Sequence, residues 1–297
     1  MYYRDFLQEV EKQVHAGLRE GDKVRIKRVR KNNGVFLDCM VVQITNSVLS
    51  PSFHMDECFK NYLQGMKVEE IVSNILSICE DSRAVKDSTF DFLENFNNIR
   101  DRLVGHLVNR EKNKDILEDV PHRDFLNLTI VYYCILDDQE NSAGGFMVRN
   151  HMMQEWGVTE ERVHQEAVMN MKLRYPVQFM SISELMKNYL GQKDWKEENA
   201  DTKLYVLSNV RRMYGAYWIT EKEIQEKIAD FFASDYYVLP SSVHECLLLP
   251  AQEGMDEKQL LSMVTDINRT QVADQEFLAD AVYRYNRAGH CMTLAAG

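Results

Sequence analysis

Ser241, Ser242, His244, Glu245 and Cys246 fall within six positions, inside the stretch YYVLPSSVHECLLLP at 236–250. A serine hydroxyl is barely ionised at neutral pH and becomes a nucleophile only beside a base that takes its proton. Ser242 or Ser241 as nucleophile, His244 as general base and Glu245 as the carboxylate orienting the imidazole would form such a set. The spacing opposes it. On a strand over 243–249, His244 and Glu245 point to opposite faces, while Ser242 and His244 share one. No G-x-S-x-G elbow and no glycine-rich oxyanion loop accompanies them. The plainer reading ends a strand at Pro240, turns the serine hydroxyls onto backbone groups and alternates the next residues across a sheet. Ser241, Ser242 and His244 are then contact residues for a ligand or partner.

Three other places carry groups that could do chemistry. PHRDF (121–125) sets His122 at the entrance of an apolar strand, where an imidazole serves either as a ligand contact or as a packed turn residue. Asp137 and Asp138 end that strand, and hard carboxylate oxygens at a strand end suit Mg²⁺. No second acidic motif joins them, so a solvated acidic loop is the competing reading. KVRIKRVRK (23–31) is basic in an acidic chain, with Lys23, Arg25 and Lys27 on one face of a strand and Arg28 beside them. Such a hairpin either contacts nucleic acid or protects a sheet edge from pairing. EWGVTEERVHQEAVMNM (155–171) has a helix–turn–helix outline, but Glu160, Glu161 and Glu166 on its second helix would repel phosphates.

LPSSVHE, PHRDFLNLTIVYY (121–133), MMQEWGVTEERVHQEAVMN (152–170) and VLSNVRRMYGA (206–216) together resemble an uncharacterised bacterial family, a domain of unknown function. The likeness runs through most of the chain. It implies a bacterial cytoplasmic protein, sometimes found among mobile-element genes, and supplies no activity and no catalytic residues.

The elements that must position these groups read as α+β. Phe6, Leu7, Val10, Val14 and Leu18 recur at helical spacing, and Gly21 helps end that helix. Two β-rich runs flank Asn33-Gly34, a hairpin signal. Residues 55–80 read as one or two helices with Ile71, Ile75 and Ile78 on one face. NLTIVYYCIL (127–136), apolar on both faces, reads as a central strand. Helices over 148–156 and 160–172 follow, the second capped by Thr159, and Ser181 with Glu184 forms a capping box. The C-terminal part reads β-β-α-β-β-α-β-β: strands 204–208 and 215–219, a helix capped by Thr220 and Glu223 with Ile224, Ile228 and Phe231 inward, strands 236–239 and 243–249, a helix from Asp256, and a closing hairpin. Mainly antiparallel sheets with helices on one face make this α+β. The polar stretch 190–202, which includes Trp195, suggests a boundary between 1–190 and 203–297, or a bend within one continuous domain.

The chain has 297 residues and a net charge of −11, which argues against general nucleic-acid or anionic-membrane binding while leaving room for a local basic patch. The six cysteines are scattered without zinc spacing, the first residues are charged and no window is apolar enough to span a membrane. These features lead to the expectation of a cytoplasmic protein without cofactor. The leading expectation is a non-catalytic binding or regulatory module with an unknown protein partner or small ligand. A hydrolase or metal-assisted phosphoryl enzyme built on LPSSVHE is the alternative, and nucleic-acid contact through 23–31 a further one.

Overall fold

The computed structural model describes residues 1–47, 50–83, 93–139, 142–190 and 203–297. Contacts divide it into two compact units, Met1–Asn98 and Ile99–Gly297. In the first, helix α1 (Tyr3–Gly17) buries Phe6, Val10 and Val14 on one stripe. Strands β1 (Lys23–Arg30) and β2 (Phe36–Gln43) form the expected hairpin, paired antiparallel from Lys23↔Gln43 to Arg30↔Phe36. Asn33 and Gly34 take positive φ, 60° and 70°, in its turn, a conformation these two residue types reach at least cost.

Strand β3 (Ser52–His54) joins the far side of β2, which leaves β1 at the sheet edge. There Glu11 of α1 accepts a hydrogen bond from the Ile26 N–H at 3.2 Å. Helices α2 (Met55–Leu63) and α3 (Val68–Arg83) close over the inner face, where Val24, Ile26, Met40 and Val42 meet Ile71, Ile75 and Cys79 in one apolar cluster. Ile78, expected on that face, is 47% exposed. The buried positions 68, 71, 72, 75 and 79 centre the apolar stripe between 71 and 72 on the helix wheel, which leaves 78 at its margin.

The second unit opens with β4 (Leu103–Asn109), buried at every residue. Strand β6 (Leu128–Gln139) is central, as its two-sided apolar pattern predicts. β4 and β5 (His122–Phe125) pair antiparallel with its first half, and β7 (Ser142–Met147) pairs with its second. Helices α4 (Asn150–Trp156) and α5 (Glu160–Arg174) follow, and the Thr159 hydroxyl caps α5 by accepting from the Arg162 N–H at 3.3 Å.

A six-stranded antiparallel sheet completes the unit. Its strands are β8 (Val177–Ser181), β9 (Tyr205–Asn209), β10 (Tyr236–Leu239), β11 (Cys246–Pro250), β12 (Val282–Asn286) and β13 (Cys291–Ala296), in the order β13-β12-β10-β11-β9-β8. Helix α6 (Ile182–Leu190) starts at the capping box: the Ser181 hydroxyl accepts from the Glu184 N–H, and the Glu184 carboxylate accepts from the Ser181 N–H, both at 3.1 Å. Residues 191–202, Trp195 among them, lie outside the described residues. On either side of that stretch β8 and β9 pair in one sheet. Helices α7 (Lys222–Phe232) and α8 (Glu257–Gln271) connect the later strands. Among the described residues no helix is long and apolar enough to cross a membrane.

Four local expectations are corrected. Residues 215–219 are not a strand but part of a 3₁₀ turn, Gly215–Thr220, whose residues through Ile219 are all buried. Aromatic and β-branched composition favoured a strand, and packing overrode it. Thr220 and Glu223 do not box α7; the Thr220 hydroxyl donates to the Tyr217 carbonyl at 2.8 Å, and Glu221 takes the cap position. On α7, Ile228 is buried but Phe231 is 61% exposed, set edge-on against Phe179 and Tyr205. Finally, β11 begins at Cys246, so Val243–Glu245 belong to a turn and the strand alternation proposed for His244 and Glu245 does not apply.

Gly215 marks the tightest approach in this region. A Cβ there would sit 2.5 Å from the His244 carbonyl oxygen and 2.7 Å from the Ser208 Cα, both backbone atoms. Gly215→Ala should therefore cost about 1–3 kcal/mol, the usual range for overpacking. The check is a lower urea midpoint at unchanged slope.

Candidate functional site

The LPSSVHE segment is a turn fastened on two sides. Its backbone pairs with 276–279: the Val243 N–H donates to the Glu276 carbonyl (2.8 Å), the Leu278 N–H to Ser241 (3.1 Å) and the Ala279 N–H to Pro240 (3.1 Å). On the other side the Ser208 hydroxyl, at the end of β9, donates to the His244 carbonyl at 2.8 Å. Ser241 is buried. The Ser242 hydroxyl oxygen accepts from the N–H groups of His244 (3.1 Å) and Glu245 (3.2 Å), the geometry of a serine-stabilised turn.

His244 finds its partners elsewhere. Its Nδ1 accepts from the Tyr214 N–H at 3.3 Å, and its Nε2 lies 3.8 Å from a Glu276 carboxylate oxygen. A neutral imidazole accepting at Nδ1 carries its proton on Nε2, so that proton faces Glu276. Neither nitrogen of that tautomer offers a lone pair to Ser242. Glu276, rather than the adjacent Glu245, is the carboxylate beside the ring.

Tyr214 reaches His244 because the loop after β9 is bound tightly. Asn209, fully buried, accepts from the Arg211 and Met213 N–H groups (3.0 and 3.4 Å) and donates to the Met213 carbonyl (2.6 Å). Tyr214 then takes a left-handed conformation, φ 57°, which a bulky side chain seldom adopts and which marks a constrained site. Its ring stacks on His244, with centroids 5.9 Å apart and planes 29° apart, and on Tyr133 at 6.2 Å and 19°. Against the same ring lies His106 of β4, at 4.3 Å. His106 also meets Tyr133 at 5.3 Å, as expected for residues on one sheet face when Val104 pairs with Tyr133.

His106 is a ring that the fold leaves unsettled at both nitrogens. It is 6% exposed and neither ring nitrogen has a hydrogen-bond partner among the described residues. Burial, and secondarily the neighbouring His244, push its pKa down to about 3. Burial likewise raises the Tyr214 phenol, and the Tyr133 phenol is raised by burial and by the neighbouring Tyr214. His106, Tyr133 and Tyr214 thus carry no formal charge at neutral pH, and Glu276 lies beside His244.

The remaining candidates fall in different places. His122, on β5, is held through Nδ1 by the Val120 carbonyl at 3.0 Å. It pairs with Val131, as His106 does from the other side, so the two histidines occupy one row about 10 Å apart across the sheet. Asp137 and Asp138 pair through their backbones with Gly144 and Ala143; their side chains lie outside what is described. Among the described residues no group of three or more His, Cys, Asp or Glu is placed to hold a metal ion. Lys23, Arg25, Lys27 and Arg28 are exposed on β1, in the first unit.

His106, Tyr133, Tyr214 and Glu276 were not singled out from the sequence. A histidine inside GHLVN, an otherwise buried strand, was the available signal for the first. Glu276 comes from a loop 32 positions beyond His244 and gave none.

A depressed imidazole pKa makes stability depend on pH. The unfolded side chain titrates near 6.5, so folding is fully supported above that pH. It weakens by about 1.4 kcal/mol per unit as pH falls toward the folded value. His106→Leu removes this dependence: the wild type should lose roughly 2 kcal/mol more than the variant between pH 7 and pH 5, read from paired urea titrations.

No curated protein and no solved structure matches the chain. A family model does match, over residues 3–287, and its description assigns no activity. The chain therefore belongs to that family of unknown function, DUF5688.

Proposed function

We propose that this protein is a non-catalytic binding module whose contact surface is the cluster of Tyr133, Tyr214, His106 and His244, with the Ser241–Ser242 turn as its frame. The observation that carries the reading is His106, a buried imidazole whose two nitrogens are unpaired among the described residues, packed beneath a ring held in a constrained backbone conformation. An unpaired buried polar group costs about 1–3 kcal/mol, and a ligand that reaches it recovers that cost. The chemistry of the ligand follows from the neutral interior. It is a small, uncharged, planar heteroaromatic compound that takes the place of one of the rings packed on Tyr214 and offers hydrogen-bonding edges to the imidazole. The six cysteines are free thiols, four of them buried, which supports a reducing, cytoplasmic setting.

The hydrolase alternative uses the same turn. It is less well supported because the Ser242 oxygen faces two backbone N–H groups and the His244 nitrogens face Tyr214 and Glu276. The experiment is a titration with adenosine, cytidine and nicotinamide to millimolar concentration, read on the imidazole carbon–proton signals by NMR. At least one probe should give saturable shifts at His106 and His244, lost in Tyr214→Ala. Silence with all three overturns the reading. So does turnover of p-nitrophenyl acetate that disappears in Ser242→Ala, which would install the hydrolase in its place.

A further inference from the structure

His244 holds the Tyr214 loop by accepting a hydrogen bond, and an imidazole accepts only while it is neutral. The Tyr214 N–H donates to Nδ1 at 3.3 Å, and Nε2, which then carries the proton, lies 3.8 Å from a Glu276 carboxylate oxygen. A second proton on the ring goes to Nδ1, the nitrogen still open to it. Two N–H groups then point at each other across the same 3.3 Å, and the bond becomes a repulsion. That proton also makes the ring a cation beside Glu276, which strengthens the pairing there. One event therefore pushes the ring from Tyr214 and pulls it toward Glu276. The His244 side chain is 30% exposed, so a proton from solvent reaches it without unfolding.

The surroundings of the ring, taken element by element, leave this role to His244. On β4, burial holds His106 at about 3, so it stays neutral over the range of about pH 5 to 8 in which histidines change charge. In the loop after β9 the Tyr214 phenol is raised by burial, and Tyr133 of β6, stacked on it, is raised by burial and by Tyr214. Arg211 and Arg212 of that loop stay cationic throughout, and the Arg211 guanidinium lies over the Tyr175 ring at 5.3 Å. The turn itself supplies Glu245 and Ser242, whose hydroxyl oxygen is taken by two backbone N–H groups. Cys246, at the start of β11, is fully buried, and burial raises its thiol. The segment before β12 brings Glu276, with Asp274 two positions earlier and Phe277 next to it under the Lys112 ammonium at 4.4 Å.

Tyr214 is where the push is felt. Its φ of 57° is costly for a bulky side chain, and the bond from its own N–H is one of those that hold it there. The His244 ring lies stacked on the Tyr214 ring, so a shift toward Glu276 uncovers part of that aromatic surface. We propose that His244 is a proton-operated gate: gaining a proton breaks its bond with Tyr214, moves its ring toward Glu276 and bares the face of Tyr214 that a planar ligand takes. The proton half of this stands by itself, while the ligand half rests on the binding-module reading. The ring that the ligand displaces is then His244. His106 lies near enough to His244 for their charges to interact, so a ligand in that place meets the unsettled imidazole.

The test begins without ligand. The full chain, labelled with ¹⁵N, is followed by NMR from pH 8 to pH 5, reading the His244 ring nitrogens and the solvent exchange of the Tyr214 amide corrected for its intrinsic pH dependence. As Nδ1 gains its proton, protection of the Tyr214 amide should fall about tenfold. In His244→Asn the side-chain oxygen still accepts at the place of Nδ1 but takes up no proton, and protection should stay flat. Ser208 bonds the main-chain carbonyl of residue 244, so this variant keeps the turn. Protection that is equal at both ends of the range, or that falls as far in His244→Asn, overturns the gate. The ligand arm titrates adenosine, cytidine and nicotinamide, all uncharged over this range, at each pH. Affinity should rise as pH falls, by up to about tenfold per unit where the ring is mostly neutral, and His244→Asn should bind with one affinity throughout. A probe that binds the wild type equally at pH 8 and pH 5 overturns the gating of the ligand. Silence of all three probes overturns the binding-module reading instead, and the Tyr214 amide still decides whether the proton moves the ring.

Discussion

The hydrogen bond from the Ser208 hydroxyl to the His244 carbonyl, 2.8 Å long, fixes what the second unit presents. It ties the end of β9 to the turn between β10 and β11, and Gly215 makes the approach possible by having no side chain to interpose. From that distance everything at the cluster follows. Tyr214 can give its N–H to His244 only because the chain reverses here, and its ring reaches His106 only because the same reversal forces a positive φ. One neutral hydrogen bond contributes about 1 kcal/mol net, while each ordered loop residue costs about 1–2 kcal/mol of entropy. The bond therefore does not hold the loop alone. Asn209 inside the loop, and Ser242 inside the turn, each bind neighbouring backbone groups and reduce what remains to be ordered.

The buried polar residues around this junction show how unusual His106 is. Asn109 donates to the Leu278 carbonyl at 2.9 Å, Asn113 to Asn109 at 2.8 Å and Gln225 to Ile219 at 2.6 Å. Each amide joins an element to a distant or irregular segment whose carbonyl would otherwise lack a donor, so its burial is compensated. The His106 ring is packed by aromatic faces, which supply dispersion and a favourable quadrupole but little for an N–H or a lone pair. The same sheet thus contains both outcomes of burying polarity, one settled and one open.

The α+β class, the Asn33–Gly34 hairpin, the central strand over 127–136 and the caps at Thr159 and Ser181 were all legible in the sequence. Each is decided by residues within a few positions of one another. What failed was decided at a distance. GAYWIT has strand composition, yet Gly215 must pack against Ser208 and His244, and only a 3₁₀ turn fits there. VHECLLL reads as one alternating strand, but the Ser242 hydroxyl captures two N–H groups and delays the strand until Cys246. The candidate site was legible in part for the same reason. Ser241, Ser242 and His244 are neighbours in sequence, whereas the partners that define their surroundings come from β4, β6, the loop after β9 and the segment before β12.

One contact in the first unit governs how its edge meets other molecules. The Glu11 carboxylate occupies the Ile26 N–H on the open side of β1, in the middle of the row formed by Lys23, Arg25 and Lys27. An incoming polypeptide that tried to extend the sheet would find the central rung of its ladder filled and an anion in the way. Main-chain zippering is blocked, while the side chains stay outward. This edge is thus closed to strand addition by backbone register, which demands one alignment.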